Sequence, residues 1–101
     1  MTVVTEQSSA AGELCTNKTM TIIDVRTTAE FSGAHIPGSF NIPLGEIPVK
    51  LDEIKTMAKP ILLCCASGNR SGQAMMFLKQ HGIECENGGS WLALNGQINK
   101  H

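Results

Sequence analysis

Apolar and polar positions fall into short blocks along the chain, and the period of the pattern changes from block to block. Residues 21–25 read Thr-Ile-Ile-Asp-Val, a β-branched run of strand length bounded by polar residues. Next, Thr27-Thr28-Ala29-Glu30 has the spacing of a capping box: a Thr oxygen receives the third backbone N–H and the Glu reaches back. This predicts a short helix from Thr28 to about Gly33. Residues 39–42 read as a brief strand between the breakers Pro37-Gly38 and Pro43. Residues 45–55 carry a helical pattern, in which Pro48 is acceptable only in the first turn.

Pro60 opens the most informative segment. Ile61-Leu62-Leu63-Cys64 is apolar at every position, as in a central strand covered on both faces. Residues 71–80 place Ala74, Met75, Phe77 and Leu78 at helical spacings, and His81-Gly82 ends the run. A last short strand is predicted over 83–86 and a closing helical turn over 91–94. Upstream, 3–5 reads as a first edge strand and 9–15 as a weak helix. Strands separated by helical segments predict right-handed βαβ units. The expected fold is α/β, with a central, mainly parallel sheet of about five strands flanked by helices. With no repeat or linker, residues 1–101 read as one domain with its core over about 4–96.

Composition narrows the function. The chain has 101 residues, 42% hydrophobic and 17% charged, with a formal net charge of -1. That is an ordinary globular balance, with neither a nucleic-acid surface nor a polybasic membrane anchor. Four aromatics (Phe31, Phe40, Phe77 and Trp91) are too few for a base-stacking platform. The longest apolar run, 61–66, is far below the roughly 20 residues of a membrane span. The N-terminal stretch has neither the basic start nor the continuous apolar segment of a signal peptide. A reducing, cytoplasmic compartment with free thiols is therefore expected. Cys64 and Cys65 are adjacent while Cys15 and Cys85 stand apart, no CxxC occurs, and three scattered histidines complete no zinc set. Neither a metal nor an organic cofactor is expected, and the oligomeric state is left open, a monomer being compatible with the sequence.

Candidate chemistry concentrates in Cys65-Ala66-Ser67-Gly68-Asn69-Arg70-Ser71, between the apolar strand and the helix after it. Open α/β sheets place their sites beyond the carboxyl ends of the strands. Backbone N–H groups leading into a helix can converge there on an anion, and Gly68 permits the positive φ that such curvature needs. Arg70 adds a permanent charge and a planar donor fork. A thiol in this field has a lowered pKa and becomes a nucleophilic thiolate. Cys64, Cys15 and Cys85 read instead as buried small hydrophobes.

The motif Cys65-x-x-Gly68-x-Arg70-Ser71 follows Asp24-Val25-Arg26, Glu30-Phe31, 33–39 (Gly-Ala-His-Ile-Pro-Gly-Ser) and Asn41-Ile42-Pro43, and precedes 88–91 (Gly-Gly-Ser-Trp). In this order the chain resembles a single-domain rhodanese-type sulfurtransferase, from about Val4 to Gly96. The resemblance implies a rhodanese-like three-layer sandwich with a five-stranded parallel sheet. It also implies a reaction in which the cysteine takes the outer sulfur of thiosulfate, a polysulfide or a persulfide, leaving an enzyme persulfide. A thiol, cyanide or a protein acceptor then removes that sulfur. Cys65 aligns with the sulfur-carrying cysteine and Arg70 with an arginine that binds the anionic donor. Ala66, Ser67, Gly68, Asn69 and Ser71 would supply donors to the persulfide, with Ser71 also placed to cap the helix. Asp24 and Arg26 match a signature expected to support the site structurally, and His35 is expected to hold a turn. Trp91 is expected to cap the core.

Two rival readings remain at this level. Counted from Cys64, the loop becomes Cys-x5-Arg, the length used by cysteine phosphatases and related arsenate reductases. Gly68 at the third position after Cys65, and the absence of an acidic leaving-group donor, favour the shorter count. Alternatively, the domain is a rhodanese-like sulfur carrier or binding module without turnover.

Overall fold

The computed structural model describes residues 20–98. The predicted strand over 3–5 and helix over 9–15 lie outside the described residues. Within them the elements alternate as follows: β1 (Thr21–Asp24), α1 (Thr28–Gly33), β2 (Phe40–Asn41), a 3₁₀ turn (Leu44–Glu46), α2 (Leu51–Lys55), β3 (Ile61–Cys65), α3 (Asn69–Gln80), β4 (Cys85–Ser90) and α4 (Trp91–Ile98). The strands form one parallel sheet in the order β2-β1-β3-β4. Among the described residues the sheet has four strands, against the about five predicted from the alternation of elements.

β3 lies at the centre because it is apolar on both sides. Ile61, Leu63 and Cys65 face a cluster that includes Ile23, Ala74 and Leu78, so α3 covers this side together with Ile47 and Ile54. Cys64 and Leu62 face the opposite cluster with Ile36, Trp91, Leu94 and Ile98, so α4 covers the other side. Each fully buried Ile or Leu contributes about 1.5–3 kcal/mol through the area it removes from water. The result is helix, sheet and helix in three layers.

Local chemistry fixes α1 where the spacing predicts it. The Thr27 hydroxyl accepts from Glu30 N at 3.1 Å, and Thr27 N donates to Glu30 Oε1 at 2.8 Å. The helix predicted over 71–80 begins two residues earlier, at Asn69, and the strand predicted over 39–42 shortens to Phe40–Asn41. Three further elements differ more from their predicted bounds. The helix expected over 45–55 is split into the 3₁₀ turn and α2, with Pro48 in the stretch between them. The strand expected over 83–86 instead runs from Cys85 through Gly88-Gly89 to Ser90, because pairing with β3 outweighs glycine's poor strand propensity. A register shift lets this happen: Leu63 pairs with Asn87, but the next residue, Cys64, pairs with Gly89. The closing turn expected over 91–94 continues as a helix to Ile98, whose side chain joins Leu94 in the core.

Candidate active site

β3 delivers Cys65 to its carboxyl end and α3 begins at Asn69, so the candidate loop is three residues wide between them. Gly68 makes the turn with φ +97°, in the left-handed region. A Cβ there would also come within 3.2 Å of Gly89 Cα, so the position favours glycine on two counts. This conformation turns the chain back over the sulfur. Gly68 N donates to Cys65 Sγ at 2.9 Å and Ser71 N donates at 3.4 Å. The Ser71 hydroxyl lies 3.4 Å from the same sulfur. Ala66, Ser67 and Asn69 are exposed at the mouth, while Cys65 itself is 1% exposed at its floor.

Burial pushes the Cys65 thiol up, but the donors outweigh it. The Ser71 hydroxyl and N–H, with the backbone at Ser67 and Gly68, hold its pKa below the ordinary thiol value. Its neighbour behaves in the opposite way. Cys64 is fully buried on the other face of the sheet, and burial is the main cause that pushes its thiol up to about 12. Cys85 is also raised by burial. Of these three free thiols, only the one in the loop is electrostatically prepared to ionise.

Ser71 does not cap α3, contrary to the sequence expectation. Gly68 holds the N-cap position without a side-chain bond, and Ser71 lies in the first turn. Its hydroxyl instead bonds to Asn87 Oδ1 at 2.6 Å. The single hydroxyl proton thus has two acceptors, Asn87 Oδ1 and the sulfur. Asn87 also accepts from Gly89 N at 2.9 Å and donates to the Gly68 carbonyl at 3.0 Å. It joins the end of β4 to the loop on Cys65. Sequence reading missed Asn87, whose only signal was its place just before the Gly88-Gly89 pair.

Arg70 reaches away from a free position. Its Nη1 and Nη2 form a two-point ion pair with Glu30 Oε1 and Oε2, at 2.9 and 3.1 Å. Glu30 is the second residue whose role here the sequence does not signal; its spacing points only to the capping box, which it also forms. Hydrogen bonding to Arg70, and then to Thr27, lowers the Glu30 carboxyl to about 2. The partner carboxylate raises Arg70 in turn.

Asp24 and Arg26 form a buried pair below the mouth. Arg26 Nη2 meets Asp24 Oδ2 at 2.8 Å, and Nε is 3.0 Å from both carboxylate oxygens. The same guanidinium donates to the Ala34 carbonyl at 2.7 Å and lies 4.7 Å from the Trp91 ring centroid. This pair ties the end of β1 to the chain after α1 and to α4. His35 is exposed, stacks on Phe31 at 3.7 Å between centroids, and holds the Phe31 carbonyl through Nδ1 at 2.7 Å. Neither contact directs His35 toward the sulfur.

Residues 7–93 match the sequence profile of the Rhodanese-like domain family. The chain belongs to the rhodanese-like domain family. It is 39% identical over 82 residues to the uncharacterised protein YqhL of Bacillus subtilis, an alignment covering 81% of this chain and 61% of YqhL. It is 31% identical over 77 residues to a sulfurtransferase of Allochromatium vinosum, covering 76% of this chain and 71% of that protein. The crystal structure of a rhodanese-like domain protein from Staphylococcus aureus superposes with a TM-score of 0.71 at 30% identity, covering 83% of this chain and 81% of that one. The rhodanese-like chain thus spans less than two thirds of YqhL. Among the described residues, no helix is long and apolar enough to cross a membrane.

Proposed function

We propose that this rhodanese-like domain is a sulfurtransferase that carries sulfane sulfur on Cys65. The observation that supports it most is the pair of backbone donors on one sulfur: Gly68 N and Ser71 N both point at Cys65 Sγ, with the Ser71 hydroxyl 3.4 Å from it. Such a set favours a thiolate before reaction, and the same polar lining can hold an anionic persulfide after it. The thiolate attacks the outer sulfur of the donor, forming the Cys65 S–S bond. The donor's own bond to that sulfur breaks, and its electron pair departs with the leaving group. With thiosulfate the leaving group is sulfite; with a low-molecular-weight persulfide it is the parent thiol. A thiol, cyanide or a protein nucleophile then attacks the terminal sulfur and restores the Cys65 thiolate.

The similarity to the Allochromatium vinosum sulfurtransferase supports the same class of reaction. Arg70 is the only charged residue of the 65–71 loop and is proposed to meet anionic donors. Asp24 and Arg26 act as structural supports, and His35 as a brace at the end of α1. The chemistry needs no metal or organic cofactor, and we place it in the cytoplasm, where free thiols persist. The phosphatase count from Cys64 loses its footing, because that sulfur lies among Ile36, Leu94 and Ile98 on the face away from the loop. The test is thiocyanate formation from cyanide with thiosulfate or a cysteine persulfide as donor. The wild-type protein should form it and Cys65→Ser should not; equal rates in the two would overturn the reading.

A further inference from the structure

The charge balance at the mouth of the loop bears on which donor the site takes. Residues 65–71 contribute one charged side chain, Arg70, and that side chain is already bound at two points by Glu30. Glu30 is fixed from its other side, since Oε1 also accepts from Thr27 N at 2.8 Å in the capping box of α1. The carboxylate is therefore pre-positioned, and Arg70 comes to it across 40 residues of sequence. The other guanidinium nearby, Arg26, is committed to Asp24 and to the Ala34 carbonyl. Ala66, Ser67 and Asn69 bring no charge. With the Glu30–Arg70 pair closed, the exposed mouth is close to neutral and its floor is the Cys65 sulfur.

We propose that Glu30 is a specificity-determining residue that sets this site against dianionic thiosulfate and in favour of low-molecular-weight thiol persulfides as sulfur donors. The inference rests on the sulfurtransferase reading given above. A dianion that binds Arg70 must either displace a pre-positioned carboxylate or lie beside it, and both outcomes raise the free energy of the complex. A thiol persulfide has no sulfonate group: charge develops only on the transferred sulfur as the Cys65 persulfide forms, where the Gly68 and Ser71 N–H donors already point, and no guanidinium is needed. In that reaction the Cys65 thiolate attacks the outer sulfur of RSSH and the RS–SH bond breaks with its electron pair going to RS. The outer-sulfur proton leaves with it as RSH, so that the Cys65 persulfide anion remains. Protonation does not open the pair in the physiological range, because the Glu30 carboxyl is lowered to about 2.

The experiment compares kcat/KM for thiosulfate and for cysteine persulfide in the wild-type protein and in Glu30→Gln. Gln keeps the side-chain oxygen that accepts from Thr27 N, so the capping box survives while the charge is lost. The thiosulfate-to-persulfide ratio should rise by about three- to tenfold in Glu30→Gln, as expected from freeing one exposed charge-assisted pair. Glu30→Ala, which opens the same pair without the cap, should move the ratio in the same direction. An unchanged or lower ratio in both variants overturns the assignment and makes Glu30 a brace that holds Arg70 for the donor. Sulfur transfer from neither donor in the wild-type protein overturns the underlying sulfurtransferase reading instead. A normal wild-type rate with no shift in ratio overturns only the role of Glu30.

Discussion

Cys64 and Cys65 are neighbours in sequence and belong to opposite faces of one strand. Cys65 ends β3 on the α3 side with its sulfur under Gly68 N, whereas Cys64 packs with Leu94 and Ile98 on the α4 side. The alternation of side chains along a strand makes this separation unavoidable. Cys65→Ser should therefore abolish sulfur transfer, since a neutral hydroxyl does not form a persulfide. Cys64→Ser should retain transfer and lose about 1–3 kcal/mol of stability, because a buried hydroxyl replaces a sulfur packed among apolar groups. Thiocyanate assays and chemical denaturation of the two variants check both halves. Loss of activity in Cys64→Ser with retention in Cys65→Ser would reverse the assignment.

Ser71→Ala should move the onset of Cys65 alkylation to higher pH. The hydroxyl is the largest of the influences that hold this thiol below its ordinary value, and its removal leaves burial less opposed. A lower pKa means more thiolate at a given pH, so the wild-type inflection lies at the acidic side of the variant's. The measurement is the inflection in an iodoacetamide rate–pH profile, since the absolute rate also reports how the loop opens over a sulfur that is 1% exposed. Coincident inflections would remove the hydroxyl from the account.

Arg70→Ala should weaken thiosulfate use more than persulfide use. The variant removes a charge-assisted contact of about 1.5–3 kcal/mol and also leaves the Glu30 carboxylate unopposed at the mouth. Steady-state kcat/KM with each donor provides the comparison. Equal losses would assign Arg70 to holding the loop.

Asn87→Ala should lower stability by about 1–3 kcal/mol, read as a shift in the thermal unfolding midpoint. It withdraws the partner of Gly89 N, of the Gly68 carbonyl and of the Ser71 hydroxyl at once. A midpoint equal to that of the wild-type protein would show that water replaces all three bonds.

What the sequence made legible depends on how local each interaction is. The capping box of α1 and the loop from Cys65 to Ser71 lie within a few consecutive residues, so spacing alone points to both. The apolar run 61–64 marks the central strand because both of its faces must be covered. Glu30 meeting Arg70 is different: it depends on how α1 and α3 come to lie at the same end of the sheet, 40 residues apart. Asn87 is hidden for the same reason, since it reaches Ser71 only once β4 lies beside β3. Local propensity misplaced β4 as well, because the Gly88-Gly89 pair reads as a breaker until β3 supplies its hydrogen-bonding partner.

The central claim is that sulfur resides on Cys65, and intact-protein mass spectrometry with peptide mapping tests it most directly. After brief exposure to cysteine persulfide or thiosulfate and removal of the excess donor, the protein should gain the mass of one sulfur atom on the peptide containing Cys64 and Cys65. The gain should persist in Cys64→Ser, vanish in Cys65→Ser, and be discharged by cyanide. An unaltered mass with both donors, or added sulfur that survives Cys65→Ser, would contradict the account.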